Sequence, residues 1–130
     1  MASKSPITCH VLDSSIGKPA QGVKVQLLAP SVQDAVTVAP SLSHGGSAWV
    51  GIGTSATNAD GRCLDLLSPD PALQPGTYQI VFETKEYFDR TGRKSFYPFV
   101  QITFSIENPA EHYHVPLLIS PFSYTTYRGS

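Results

Sequence analysis

The chain has 130 residues, a formal net charge of -1 and a charged fraction of only 15%. That length predicts one domain, residues 1–130, with room for a full hydrophobic core. The few Lys and Arg residues are scattered rather than clustered, which argues against nucleic acid or an anionic membrane as a partner, and no apolar run is long enough to span a bilayer.

Alternation over residues 8–13 places Ile7, Cys9 and Val11 on one face and Thr8, His10 and Leu12 on the other, the pattern of a first strand. Ser14, Ser15, Gly17, Lys18 and Pro19 make a turn cluster, and Gly22 precedes a second strand in which Val23, Val25 and Leu27 alternate with Lys24 and Gln26. Residues 29–47 dissolve into Pro, Ser, Ala and Gly and read as a long loop. Residues 49–54 regain strand character, weakened by Gly51 and Gly53.

Asn58-Ala59-Asp60-Gly61 is a turn in which Gly61 supplies positive φ and Asp60 is the expected side-chain acceptor for the backbone. It leads into a predicted short strand over residues 62–66, followed by a proline-rich loop. Tyr78, Ile80 and Phe82 define the clearest strand, residues 77–84, and residues 85–91 predict one or two helical turns before Gly92. Val100, Ile102, Phe104 and Ile106 mark the next strand. The end of the chain supplies two more, parted near Ser120-Pro121. Seven or eight strands with one short helix predict an all-β, two-sheet β-sandwich.

The terminal segment from His112 stays aromatic and β-prone to Ser130, whereas most chain ends fray unless something ties them down. Period two sets Tyr113, Val115, Leu117 and Ile119 toward the core and His112, His114, Pro116, Leu118 and Ser120 away from it. Pro116 and Leu118 are odd choices for bare solvent, so that face is expected to be covered.

His10, Arg62 and His114 stand out as polar groups placed off the core. Imidazole changes charge near neutral pH and can activate water and return a proton, while the Arg62 fork suits a carbonyl, an oxyanion or a ring amide. The plainer alternative is that each is a surface or hydrogen-bonded side chain. His112-x-His114 also allows a metal, but no Cys or carboxylate is spaced to complete a site, so none is expected. Cys9 and Cys63 read as reduced core residues without a neighbouring cation. His44 lies in the Gly/Ser-rich loop and reads as solvated. From the residues alone, the reading stops at a β-sandwich with a candidate His/Arg site.

Three stretches carry a resemblance: Cys9-His10-Val11-Leu12-Asp13 with Gly17-Lys18-Pro19-Ala20, the turn Asp60-Gly61-Arg62, and His112-Tyr113-His114-Val115-Pro116-Leu117-Leu118 through Tyr127-Arg128-Gly129-Ser130. They resemble the 5-hydroxyisourate hydrolase family, related to transthyretin. The Tyr-Arg-Gly-Ser ending is the most specific part, since the hormone carrier shares the fold and lacks it. The resemblance implies a transthyretin-like sandwich that forms a homotetramer, a dimer of dimers, with active sites in the channel between dimers.

It also implies metal-free, cofactor-free hydrolysis of 5-hydroxyisourate to 2-oxo-4-hydroxy-4-carboxy-5-ureidoimidazoline, on the route from urate to allantoin. By motif position His10 and His114 would handle water activation and proton transfer, Arg62 would hold the substrate, and Tyr127, Arg128, Gly129 and Ser130 would close the pocket. A carrier of a small aromatic ligand and a purely structural sandwich are the competing readings. Residues 29–57 depart from the family pattern in length and in Gly and Ser content. With no secretory leader and no Ser-Lys-Leu ending, the cytoplasm is the expected compartment, the peroxisome being left open.

Overall fold

Alternating apolar residues do become strands, and they stack as two sheets around one core in the computed structural model, which describes residues 5–30, 49–67 and 73–129. The elements are β1 (Ile7–Asp13), β2 (Lys18–Pro19), β3 (Lys24–Pro30), β4 (Trp49–Ala56), β5 (Arg62–Cys63), β6 (Gly76–Phe82), α1 (Thr84–Arg90), β7 (Val100–Ile106), β8 (Tyr113–Ser120) and β9 (Ser123–Thr126). One sheet runs β2-β1-β8-β9, with β5 also pairing with β1; the other runs β4-β3-β6-β7. All pairs are antiparallel except β1 with β8, which are parallel.

The expected inward rows are buried: Ile7, Cys9 and Val11 on β1; Val25 and Leu27 on β3, with Val23 just before it; Tyr78, Ile80 and Phe82 on β6; Tyr113, Val115, Leu117 and Ile119 on β8. Among the described residues there are nine strands, one beyond the expected seven or eight, because β2, read as part of a turn, is a two-residue ladder along β1 too short to leave a periodic trace. The strand expected over residues 62–66 stops at Cys63 for the same reason: only Arg62 and Cys63 meet β1, and Leu64 is exposed. Ala29 and Pro30, read as loop, extend β3 against Val50 and Trp49. Most of the expected loop, residues 31–48 with His44, lies outside the described residues, as do residues 68–72.

The turn before β5 is held by Asn58 rather than Asp60. The Asn58 carboxamide oxygen accepts from the backbone N–H groups of Asp60 (2.9 Å) and Arg62 (3.0 Å). Gly61 is required there twice over: its φ is +76°, and a Cβ would collide with the Val11 carbonyl oxygen.

Asp13, at the end of β1, was legible only as a strand-ending polar residue, yet it is 0% exposed. Its carboxylate accepts from Arg93 Nη2 (2.6 Å), Tyr87 Oη (2.8 Å) and the Ser15 backbone N–H (3.1 Å), and also from the Ser15 hydroxyl. Burial opposes ionisation, but the hydrogen bonds from Arg93, Ser15 and Tyr87 outweigh it and hold the carboxyl below its ordinary range. Tyr87 comes from α1, whose Tyr87 and Phe88 are buried, so the network ties the helix to the end of β1.

Replacing Arg93 with Met is expected to lower the unfolding free energy at neutral pH by on the order of 3 kcal/mol, because it leaves the Asp13 carboxylate buried without its cation. In the parent the pair stabilises fully above the unfolded carboxyl value of about 3.9, and that contribution fades as pH falls through the lower folded value. In the variant the unpaired carboxyl is pushed upward by burial, and protonation relieves it. Urea melts at neutral and mildly acid pH should therefore show the gap between the two proteins narrowing as pH falls; a gap that stays constant would separate Asp13 from the loss.

Candidate functional site

The outward face of β1 and its neighbours carries the chemistry, and strand register brings it together. In the antiparallel β1–β5 ladder His10 lies directly opposite Arg62. Such partners hold their Cβ atoms on the same side, about 4.5–5.5 Å apart. In the parallel β1–β8 ladder Thr8 is partnered with His114 and His10 with Pro116, so His114 sits diagonally beside His10. Their ring centroids are 6.5 Å apart. Two imidazoles and a guanidinium from residues 10, 62 and 114 thus share one surface.

His10 and His114 are half-buried and Arg62 is exposed, which leaves the imidazoles shielded on their strand side and open to a ligand on the other. Thr8, which sequence patterning assigned only to the outward row, is 1% exposed. Its Oγ1 lies 2.7 Å from His114 Nδ1 and 3.1 Å from His112 Nε2. The rings of His112 and His114 are near-parallel, with centroids 6.4 Å apart. His112 was read as a possible ligand for a metal. Among the described residues no group of three or more His, Cys, Asp or Glu is placed to hold one.

Part of the outward face is covered by the chain's own end. Thr126 Oγ1 donates to the Pro116 carbonyl at 2.7 Å, and the Gly129 backbone N–H donates to the His114 carbonyl at 3.0 Å. Pro116 is buried as a result. Gly129 lies so close that a Cβ there would stand 2.7 Å from His114 Cδ2 and 3.1 Å from Pro116 Cγ. Arg128 stacks over the Tyr113 ring at 4.8 Å and pairs with Glu111 at 3.1 Å, so it pins the tail rather than pointing at His10. Tyr127 is 59% exposed. Ser130 lies outside the described residues.

A cleft of about 320 Å³ opens between the sheet edges, lined by Ile102, Phe104, Tyr113, His114, Val115, Tyr127 and Arg128 among others. Neither His10 nor Arg62 reaches it. Its wall mixes inward residues of β7 and β8 with residues of the tail, and of the histidine pair only His114 borders it. Cys9 and Cys63 face each other across β1 and β5, both buried and reduced. Hydrogen bonding to Cys63 and burial push the Cys9 thiol up, which keeps it protonated and a poor nucleophile.

With this geometry in hand, the comparisons with known proteins become specific. The model of the HIUase/Transthyretin family matches residues 7–129. This chain belongs to that family. It is 45% identical over 129 residues to the 5-hydroxyisourate hydrolase of Mus musculus, covering 97% of this chain and 96% of that protein. It is 48% identical over 131 residues to the "Uric acid degradation bifunctional protein TTL" of Arabidopsis thaliana, covering 98% of this chain and 38% of that protein.

Among solved structures, Klebsiella pneumoniae 5-hydroxyisourate hydrolase superposes with a TM-score of 0.74 at 34% identity, covering 99% of this chain and 100% of that one. Sea bream transthyretin in complex with thyroxine gives 0.80 at 28% identity, covering 96% and 95%. Within the HIUase/Transthyretin family, then, backbone likeness does not separate the hydrolase from thyroxine-bound transthyretin. The side chains on the outward face must do so.

The close approach of Gly129 to His114 is testable without any assay of turnover. Gly129→Ala is expected to displace the His114 ring and to speed hydrogen exchange of the residue-129 amide, while the thermal midpoint changes little because the tail carries few core contacts. Unperturbed His114 ring resonances in the variant would mean that the tail does not hold the ring.

Proposed function

We propose that this chain hydrolyses 5-hydroxyisourate to 2-oxo-4-hydroxy-4-carboxy-5-ureidoimidazoline, opening a cyclic amide without a metal. The observation that carries the reading is the shared face of His10, Arg62 and His114, with the two imidazoles 6.5 Å apart. The named hydrolase relatives support it.

In this reading one imidazole takes a proton from water as the water oxygen bonds to the ring carbonyl carbon. Arg62 stabilises the negative charge that develops on the carbonyl oxygen, a role its permanent charge and planar fork suit. The C–N bond then breaks and the imidazolium returns its proton to the leaving nitrogen. Gly129 forms the wall beside His114, and Arg128 anchors that wall through Glu111 and Tyr113, with Tyr127 lining the neighbouring cleft. This reading needs no metal, since the permanent charge of Arg62 supplies the stabilisation of the carbonyl oxygen that a metal would otherwise bring.

The carrier reading has one observation in its favour, the likeness to thyroxine-bound transthyretin. The two readings part on turnover. Freshly generated 5-hydroxyisourate is expected to lose its ultraviolet absorbance faster with the protein than without it. His10→Ala and His114→Ala should each lower the rate by about 10² to 10⁴-fold while remaining folded, the usual contribution of a positioned proton-transfer group. Decay at the spontaneous rate with the parent protein would contradict the hydrolase reading.

We further propose that the enzyme works as a homotetramer, a dimer of dimers. Leu118 is half-buried on the face that carries His10, and Phe122 and Tyr124 are exposed in the strand and turn beside it, large apolar side chains that a contact with another copy would cover. Sedimentation at micromolar concentration is expected to give four copies; a stable, fully active monomer would contradict this.

A further inference from the structure

The Thr8 hydroxyl is placed to do more than fill space. It is buried, it lies one strand over from His114 in the parallel ladder, and it touches a nitrogen on each of two rings, His114 Nδ1 at 2.7 Å and His112 Nε2 at 3.1 Å. A hydroxyl has one proton to donate and lone pairs with which to accept. Shut away from water, it should use both capacities on the partners at hand.

We propose that Thr8 is a positioning residue that locks the tautomers of His112 and His114 together and passes a proton between them. The inference rests on the hydrolase reading for its consequence, but not for its geometry. Two arrangements satisfy the hydroxyl. In one, Oγ1–H donates to His112 Nε2 and His114 Nδ1–H donates to Oγ1, so both neutral rings carry their proton on Nδ1. In the other, Oγ1–H donates to His114 Nδ1 and His112 Nε2–H donates to Oγ1, so both carry it on Nε2. The two rings share one tautomer in either case.

The first arrangement puts a lone pair rather than a proton on His114 Nε2, the nitrogen that then takes the proton of water. Once Nε2 is protonated, the Nδ1 proton moves to Oγ1 as the Oγ1 proton moves to His112 Nε2. No proton is gained or lost in that exchange: His112 becomes the cation, and His114 is neutral with its proton now on Nε2. That is the second arrangement with a charged His112, and it presents an acid where a base stood. Reversal as Nε2 gives up its proton restores the start. His114 can therefore serve as base and then acid with the charge parked on His112.

The charged neighbours fit this assignment. Arg62 flanks the substrate side, and Glu111, next to His112 in sequence, is occupied by Arg128. Proton transfer along the hydroxyl is thus the arrangement that keeps the positive charge farther from Arg62.

Nitrogen-15 spectra of the imidazoles, recorded at alkaline pH where both rings are neutral, test the geometry in the parent protein itself. Matching tautomers on His112 and His114 are expected, and opposite tautomers would overturn the proposal. Thr8→Val keeps the β-branched shape and removes the hydroxyl; it is expected to uncouple the tautomers, to lower kcat by about 100-fold with KM nearly unchanged, and to move the acid limb of the kcat–pH profile. Thr8→Ser should restore kcat and the profile. A Thr8→Val protein with parental kcat and pH profile, measured beside an inactive His114→Ala, would overturn the relay. Absence of turnover in the parent would instead sink the hydrolase reading, with the tautomer measurement still deciding the role of Thr8.

Discussion

The parallel pairing of β1 with β8 is the constraint on which the rest depends. It sets Thr8 beside His114 and His10 beside Pro116, and it makes β1 the shared neighbour of β2, β5 and β8. Its register is fixed from the inside. Ile7, Cys9 and Val11 on one strand and Val115, Leu117 and Ile119 on the other are buried, and full burial of such side chains is worth about 1.5–3 kcal/mol each. A slip of one residue would turn a whole row outward. The contacts from Thr8 to the two imidazoles are worth about 1 kcal/mol apiece by comparison. The core therefore decides the register, and the polar face inherits its geometry.

That ordering explains which features were legible in the sequence. The inward rows of β1, β3, β6 and β8, the helix after β6 and the break near Ser120-Pro121 follow from local patterns of period two and from turn chemistry. So does the placement of His10 and His114 off the core. What local pattern cannot report is contact between distant segments. β2 exists only because β1 is there to pair with it, and β5 ends at Cys63 because only Arg62 and Cys63 meet β1. Thr8 is buried because His112 and His114 arrive more than a hundred residues later, and Asp13 is buried because Arg93 and Tyr87 come to meet it.

The covered outward face shows the same limit in another form. Pro116 and Leu118 signalled a cover, and the tetramer implied by the family resemblance offered one. Part of the cover is nearer to hand: the chain's own end folds back so that Gly129 touches both Pro116 and His114. The matched Tyr-Arg-Gly-Ser ending can be read physically from this. Arg128 is held by Glu111 and by the face of Tyr113, which fixes the backbone, and the missing Cβ of Gly129 lets that backbone lie against an imidazole. Arg128 holds the tail from outside the histidine face, an anchoring contact that the signature alone did not distinguish from a wall.

A 5-hydroxyisourate hydrolase and a thyroxine-bound transthyretin share this backbone, so where a ligand sits, rather than the fold, decides between the readings. A crystal structure with a purine-like inhibitor is the most direct measurement. The inhibitor is expected on the outward face of β1 and β8, in contact with His10, Arg62 and His114. An inhibitor found instead between the sheet edges, against Phe104 and Tyr127 and clear of His10, would contradict the assignment of the site.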